Sequence, residues 1–221
     1  MENRFLNFLK GRLMRDIGYI RRNTYKEYFH PKASVFPDDV VIDAGVSGNI
    51  DVAVYFAEQV GPDGKVFAFE PEPTCYAEAT AKVQNTGMEQ IEIVNAGLWS
   101  KEDILYITNA GIGSAVKPEE TQGSSACRLI TLDSFVDSRD LERVDAIKAD
   151  VEGTELNLLI GAQKTIVKHT PKLIICLYHK PEDIYTIPLF IHGLNLGYRF
   201  YATQFLWKQS GFVLFACPPA L

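Results

Sequence analysis

Cysteine is scarce, and its spacing is uninformative as a framework. The thiols at Cys75, Cys127, Cys176 and Cys217 form no Cys-x-x-Cys pair and no tight Cys/His group. That pattern argues against a zinc site or a disulfide scaffold, and no metal is expected. Cys176 and Cys217 lie in apolar runs and read as buried free thiols of a reducing compartment. No apolar run approaches the roughly 20 residues of a membrane span. Lys10, Arg12 and Arg15 interrupt the N-terminal apolar residues. A signal-peptide core is therefore not expected, and the cytoplasm is the expected compartment. Phosphate-binding signatures are missing as well. There is no Gly-Lys-Ser/Thr element, and after Gly45 the next glycine comes three residues later, which breaks the Gly-x-Gly-x-x-Gly pattern. A basic excess is also lacking, since the net charge is −6, which argues against nucleic acid as a partner.

What is present is a chain of 221 residues with 47% apolar and 23% charged side chains, enough for one well-buried domain. The charge is uneven. Residues 1–32 hold eight Lys/Arg against three acids, so with −6 overall the remainder carries −11. Phe5, Leu9, Leu13, Ile17 and Ile20 recur at helical spacing, predicting a basic amphipathic helix over 2–28 within an extension of residues 1–37. Packing on the domain, or a homodimer contact, is the expected use of its apolar stripe.

From residue 38 to 221 the pattern is that of an α/β domain. Val40–Asp43, Lys65–Glu70 and Ile91–Asn95 read as strands, separated by predicted helices over about 50–60 and 73–85. Gly61-Pro62-Asp63-Gly64 is a turn. Strand-helix alternation at this spacing predicts a parallel sheet. The rhythm breaks over about 98–131, read as a small β insertion carrying a mobile loop at 109–126. It resumes with a strand at Asp145–Asp150, a helix from Thr154 to about Val167, a strand at Lys172–Leu177 and a helix over 181–194. Tyr198–Tyr201 and Phe212–Ala216 are expected to close the sheet as an antiparallel pair. The expected fold is a seven-stranded Rossmann-like sheet, mostly parallel, with an antiparallel C-terminal strand.

In such sheets ligands bind beyond the carboxyl ends of the strands. Asp43, Gly45, Ser47 and Gly48 form the turn after the first strand, where small residues let the backbone approach a ligand. Glu70 ends the second strand, placed to accept hydrogen bonds from ribose hydroxyls, and Asn95 ends the third. NAD would use such an acid too, but no Lys or Arg lies within 43–58 to meet a diphosphate. S-adenosylmethionine, with a sulfonium and no phosphate, suits these residues better than a dinucleotide or ATP. Asp43 could support its ammonium group directly or through ordered loop groups.

Asp150 and Glu152 cluster at a later strand end, and His179 ends the next strand. Carboxylates there can orient a hydroxyl nucleophile, and the histidine can take its proton near neutral pH. Glu155 reads first as an acid favoured at a helix N-terminus. His30, His169 and His192 read as structural.

Four segments carry a family resemblance: Val41–Gly45, Gly64–Pro71, Thr131–Asp133 and Ile147–Glu155. Through them the chain resembles the FkbM family of methyltransferases over about 38–216. The resemblance implies S-adenosylmethionine as donor and O-methylation of a small-molecule or glycan hydroxyl, such as one on a sugar or secondary metabolite. It places Asp43, Gly45 and Glu70 at the cofactor, Asp150 and Glu152 on the acceptor side, and His179 beside them. Two stretches depart from the family pattern. Asn49 stands where a glycine is usual, and Ala202–Phe205 replaces an Arg-His-containing stretch. These motivate an alternative, a non-catalytic domain of this fold that binds a nucleotide or a protein partner.

Overall fold

The computed structural model describes residues 27–108, 116–117, 124–204 and 211–219. In chain order the strands are β1 Val40–Ala44, β2 Lys65–Phe69, β3 Ile91–Val94, β4 Gly97–Leu98, β5 Asp103–Thr108, β6 Val116–Lys117, β7 Ser124–Ile130, β8 Ala146–Ala149, β9 Lys172–Cys176, β10 Arg199–Gln204 and β11 Phe212–Cys217. The helices are α1 Asp51–Val60, α2 Pro73–Thr86, α3 Leu132–Ser138, α4 Glu155–Gly161, α5 Gln163–His169 and α6 Asp183–Gly193.

Seven strands form one sheet in the order β10-β11-β9-β8-β1-β2-β3. All neighbours from β3 to β9 pair in parallel, while β11 runs antiparallel to both β9 and β10. This is the expected Rossmann-like sheet with its antiparallel C-terminal strand. The alternating pleat sends Val41, Val66 and Ile174 into one apolar layer and Ile42, Phe67 and Leu173 into the other. The first layer is closed by Ala53, Phe56, Ala57 and Val60 of α1, with Tyr28, Ala33 and Val35 from the segment before β1. Phe135, Leu158, Leu159, Ile166, Ile187 and Ile191 close the second.

The interruption predicted over 98–131 is a second, four-stranded sheet, β4-β7-β5-β6. Most of the loop predicted at 109–126 lies outside the described residues. So does the predicted N-terminal helix up to residue 26, together with any dimer contact it makes. Among the described residues no helix is long and apolar enough to cross a membrane.

The helical reading needs two corrections, one to a predicted helix and one for a helix left unpredicted. The helix expected from Thr154 to Val167 is divided into α4 and α5 at Ala162. Gly161 packs so closely on the preceding sheet that a Cβ there would lie 1.9 Å from the Trp99 carbonyl oxygen. Asp133 then caps the second piece, accepting from Lys164 N at 3.0 Å and from Thr165 N and Oγ1 at 2.8 and 2.7 Å. The other correction is α3, whose seven residues are too few to show a period in the sequence. Thr131 Oγ1 starts it by accepting from Ser134 N at 3.0 Å.

Candidate active site

The turn after β1 is built around one close approach. Gly45 has φ +90, and a Cβ on it would fall 1.8 Å from the Asp150 carbonyl oxygen. Only glycine fits both conditions. Gly45 N donates to Phe69 O at 3.2 Å and Asp150 N donates to Ala44 O at 3.1 Å, so the ends of β2, β1 and β8 are tied together. Ser47 and Gly48 then take left-handed conformations, φ 50 and 69. Asn49 is not among the described residues with positive φ. Its Oδ1 accepts from Asp51 N at 3.2 Å at the start of α1. The replacement of the usual glycine is thus accommodated, because the two residues before it make the turn.

Glu70 joins this turn to β3. Its Oε2 accepts from Ser47 N at 2.7 Å and its Oε1 from Glu72 N at 2.9 Å. Asn95 Nδ2 donates to the Glu70 carbonyl at 3.0 Å. Ser47, Glu70 and Asn95, separate in sequence, are therefore one constellation. Burial pushes the Glu70 carboxyl above its ordinary range, against the two backbone N–H donors. Each oxygen keeps a second lone pair for a ligand hydroxyl.

Asp43 is only 1% exposed and presents no surface for direct ligand contact. Its Oδ1 lies 3.0 Å from Lys148 Nζ, itself 2% exposed. Lys148 also donates to the carbonyls of Ala44 at 3.2 Å and Gly45 at 3.0 Å. Burial alone would lower the Lys148 pKa, but Asp43 and Asp150 outweigh it and hold the ammonium charged. Any influence of Asp43 on a ligand therefore passes through Lys148 and the turn that Lys148 clamps.

The second constellation lies across the ends of β8 and β9. Asp150 Oδ2 accepts from Tyr28 OH at 2.5 Å, and Oδ1 accepts from Tyr178 OH at 2.8 Å. Burial would raise the Asp150 pKa. Lys148, the two phenols and His179 overcome it and hold the carboxyl below its ordinary value. His179 Nδ1 lies 2.8 Å from Glu155 Oε1, and Glu155 is fully buried. The same oxygen accepts from Val151 N at 2.9 Å. Glu155 is therefore an acceptor, which assigns the Nδ1 proton to His179 and leaves Nε2 as the variable nitrogen. Nε2 lies 3.5 Å from both Asp150 Oδ1 and Glu152 Oε2. Glu152 is exposed and holds φ 53. Burial opposes a charged His179, but Glu155, then Asp150 and Glu152, raise its pKa above the ordinary value.

Asp150, Glu155 and His179 each bring one donor atom to within 4.8 Å of the others, a set that could hold a cation. Both oxygens of Asp150 are, however, already taken by phenols. The expected trio of Asp150, Glu152 and His179 does come together. Sequence reasoning missed four other members: Tyr28, Lys148, Glu155 as the histidine's partner, and Tyr178. Only Lys148 left a signal, a lone charge in the apolar run of a central strand.

The Methyltransferase FkbM domain matches residues 39–200. The chain belongs to the FkbM methyltransferase family. It is 27% identical over 124 residues to hexuronic acid methyltransferase AglP of Haloferax volcanii, across 56% of this chain and 50% of that protein. The crystal structure of an FkbM methyltransferase from Methylobacillus flagellatus KT matches with TM-score 0.65 and 20% identity, over 86% of this chain and 46% of that one. This chain thus spans about half the length of both. Aeropyrum pernix fibrillarin, solved with natively bound S-adenosyl-L-methionine, shares the fold at TM-score 0.53 and 13% identity, over 84% of this chain and 70% of that chain.

Proposed function

We propose that this FkbM methyltransferase transfers the methyl group of S-adenosylmethionine to a hydroxyl of a sugar or secondary metabolite. The observation that carries the reading is the Glu155–His179 pair at 2.8 Å, which leaves Nε2 beside Asp150 at the carboxyl end of the sheet. A histidine held by a buried carboxylate, with its second nitrogen available, is suited to take a hydroxyl proton. The left-handed turn through Gly45, Ser47 and Gly48, with the acceptor Glu70 bonded to Ser47 N, fits an adenosyl ligand. The fibrillarin fold match and the hexuronic acid relative support the donor and the acceptor class respectively.

When bound, S-adenosylmethionine supplies a sulfonium-activated methyl group. Ser47, Gly48, Glu70 and Asn95 would hold the donor, on the turn that Lys148 clamps. On the other side Glu152, exposed beside Nε2, orients the acceptor hydroxyl, and the charge of Asp150 lies next to the base. His179 Nε2 would take the proton from the acceptor oxygen as that oxygen receives the methyl group supplied by the bound donor. Glu155 and Asp150 stabilise the imidazolium, and alignment of the reacting atoms supplies much of the acceleration.

Only neutral His179 can accept the proton. Turnover therefore rises with pH through the raised His179 pKa and levels off above it. Glu155→Gln removes the carboxylate that most favours the imidazolium, so the acid limb moves to lower pH. Loss of one hydrogen bond to a charged partner should also lower the plateau kcat roughly 10- to 100-fold. The check is a pH–rate profile with methyl-labelled donor and a panel of uronic acids, neutral sugars and hydroxylated metabolites. A limb that stays put in the variant overturns the base assignment.

A further inference from the structure

We infer that Tyr28 and Tyr178 are positioning residues that keep His179 available as the base by occupying both oxygens of Asp150. The inference rests on the proposed role of His179 and extends it to a residue outside the matched family region of 39–200. Tyr28 is 7% exposed and reaches Asp150 from 122 residues away. Its ring lies 5.1 Å from Lys148 Nζ, which fixes the ring over the same buried cation that clamps the Gly45 turn. Asp150 Oδ1 meets Tyr178 OH at 2.8 Å and His179 Nε2 only at 3.5 Å. The latter is outside the range of a good hydrogen bond. The phenols thus outcompete the imidazole for Asp150. Asp150 acts on His179 as a nearby charge and does not capture the nitrogen that must receive the acceptor's proton.

Other groups also face or act on His179. Glu155 lies on α4, Glu152 in the turn after β8, and Lys180 and Asp183 at the approach to and start of α6. None of them is bonded to a phenol in the described residues, so removing one phenolic hydroxyl acts on His179 through Asp150. A carboxylate relieved of a phenol is a stronger partner for an imidazolium, which it then draws toward hydrogen-bond distance.

The experiment is an NMR titration of the His179 ring in the full chain, for wild type, Tyr28→Phe and Tyr178→Phe, with His179→Gln to assign the signal. Phenylalanine keeps the ring and its packing. Each variant is expected to move the midpoint to higher pH by roughly half a pH unit, opposite in sign to Glu155→Gln. The acid limb of turnover should follow. A tyrosine that only stabilises the fold would lower the melting temperature and leave the midpoint in place. Unchanged or lowered midpoints in both folded variants would overturn the inference. Because the titration needs no turnover, absence of methyl transfer in wild type would count against the proposed function separately.

Discussion

His179→Gln is expected to lower kcat roughly 10²- to 10⁴-fold, the range for loss of a general base. Affinity for S-adenosylmethionine should stay within about twofold of wild type, since the loss falls on the transition state alone. The two halves of this expectation come from different parts of the site. Cofactor contacts are assigned to the β1 turn, Glu70 and Asn95, whereas His179 sits at the end of β9 between Glu155, Asp150 and Glu152. Single-turnover transfer and equilibrium binding measured on the same variant separate them. Turnover near that of wild type removes His179 as the base. Loss of both together would move it to the cofactor side.

The second large effect concerns Gly45→Ala. A methyl group 1.8 Å from the Asp150 carbonyl oxygen overlaps backbone, which cannot rotate away. The left-handed φ adds strain of about 1–2 kcal/mol, and overpacking typically adds about 1–3 kcal/mol more. The turn must shift, and with it the Lys148 contacts to Ala44 and Gly45 that fix it. We expect a stability loss of about 2–5 kcal/mol by denaturant unfolding. Donor binding should be abolished even in conditions where the variant stays folded. Retained binding with wild-type affinity would show that this close approach does not shape the cofactor site.

The sheet was legible because its strands are short apolar runs at even spacing, closed by glycine, proline or an acid. Lys65–Phe69 and Lys172–Cys176 are buried nearly throughout, as their lack of polar alternation predicts. The meeting of Asp150, Glu152 and His179 was legible because acids and a histidine at adjacent strand ends meet by topology. The unread features all depend on contacts distant in sequence. The division of α4 from α5 lies where Gly161 closely approaches the Trp99 carbonyl. The pairing of Glu155 with His179 depends on how α4 leaves β8, so its helix-terminal position gave a sufficient but incomplete account. Tyr28 carried no local sign of its bond to Asp150. Asn49 departs from the usual glycine, and the turn needs no left-handed residue there because Ser47 and Gly48 already hold that geometry.

The most direct test of the account is calorimetric titration of the purified protein with S-adenosylmethionine and S-adenosylhomocysteine, with Glu70→Ala alongside. Micromolar-range binding of both ligands is expected, on the order of −8 kcal/mol, with its loss in the variant. A folded wild-type protein that binds neither would contradict it and leave a methyltransferase fold without its donor.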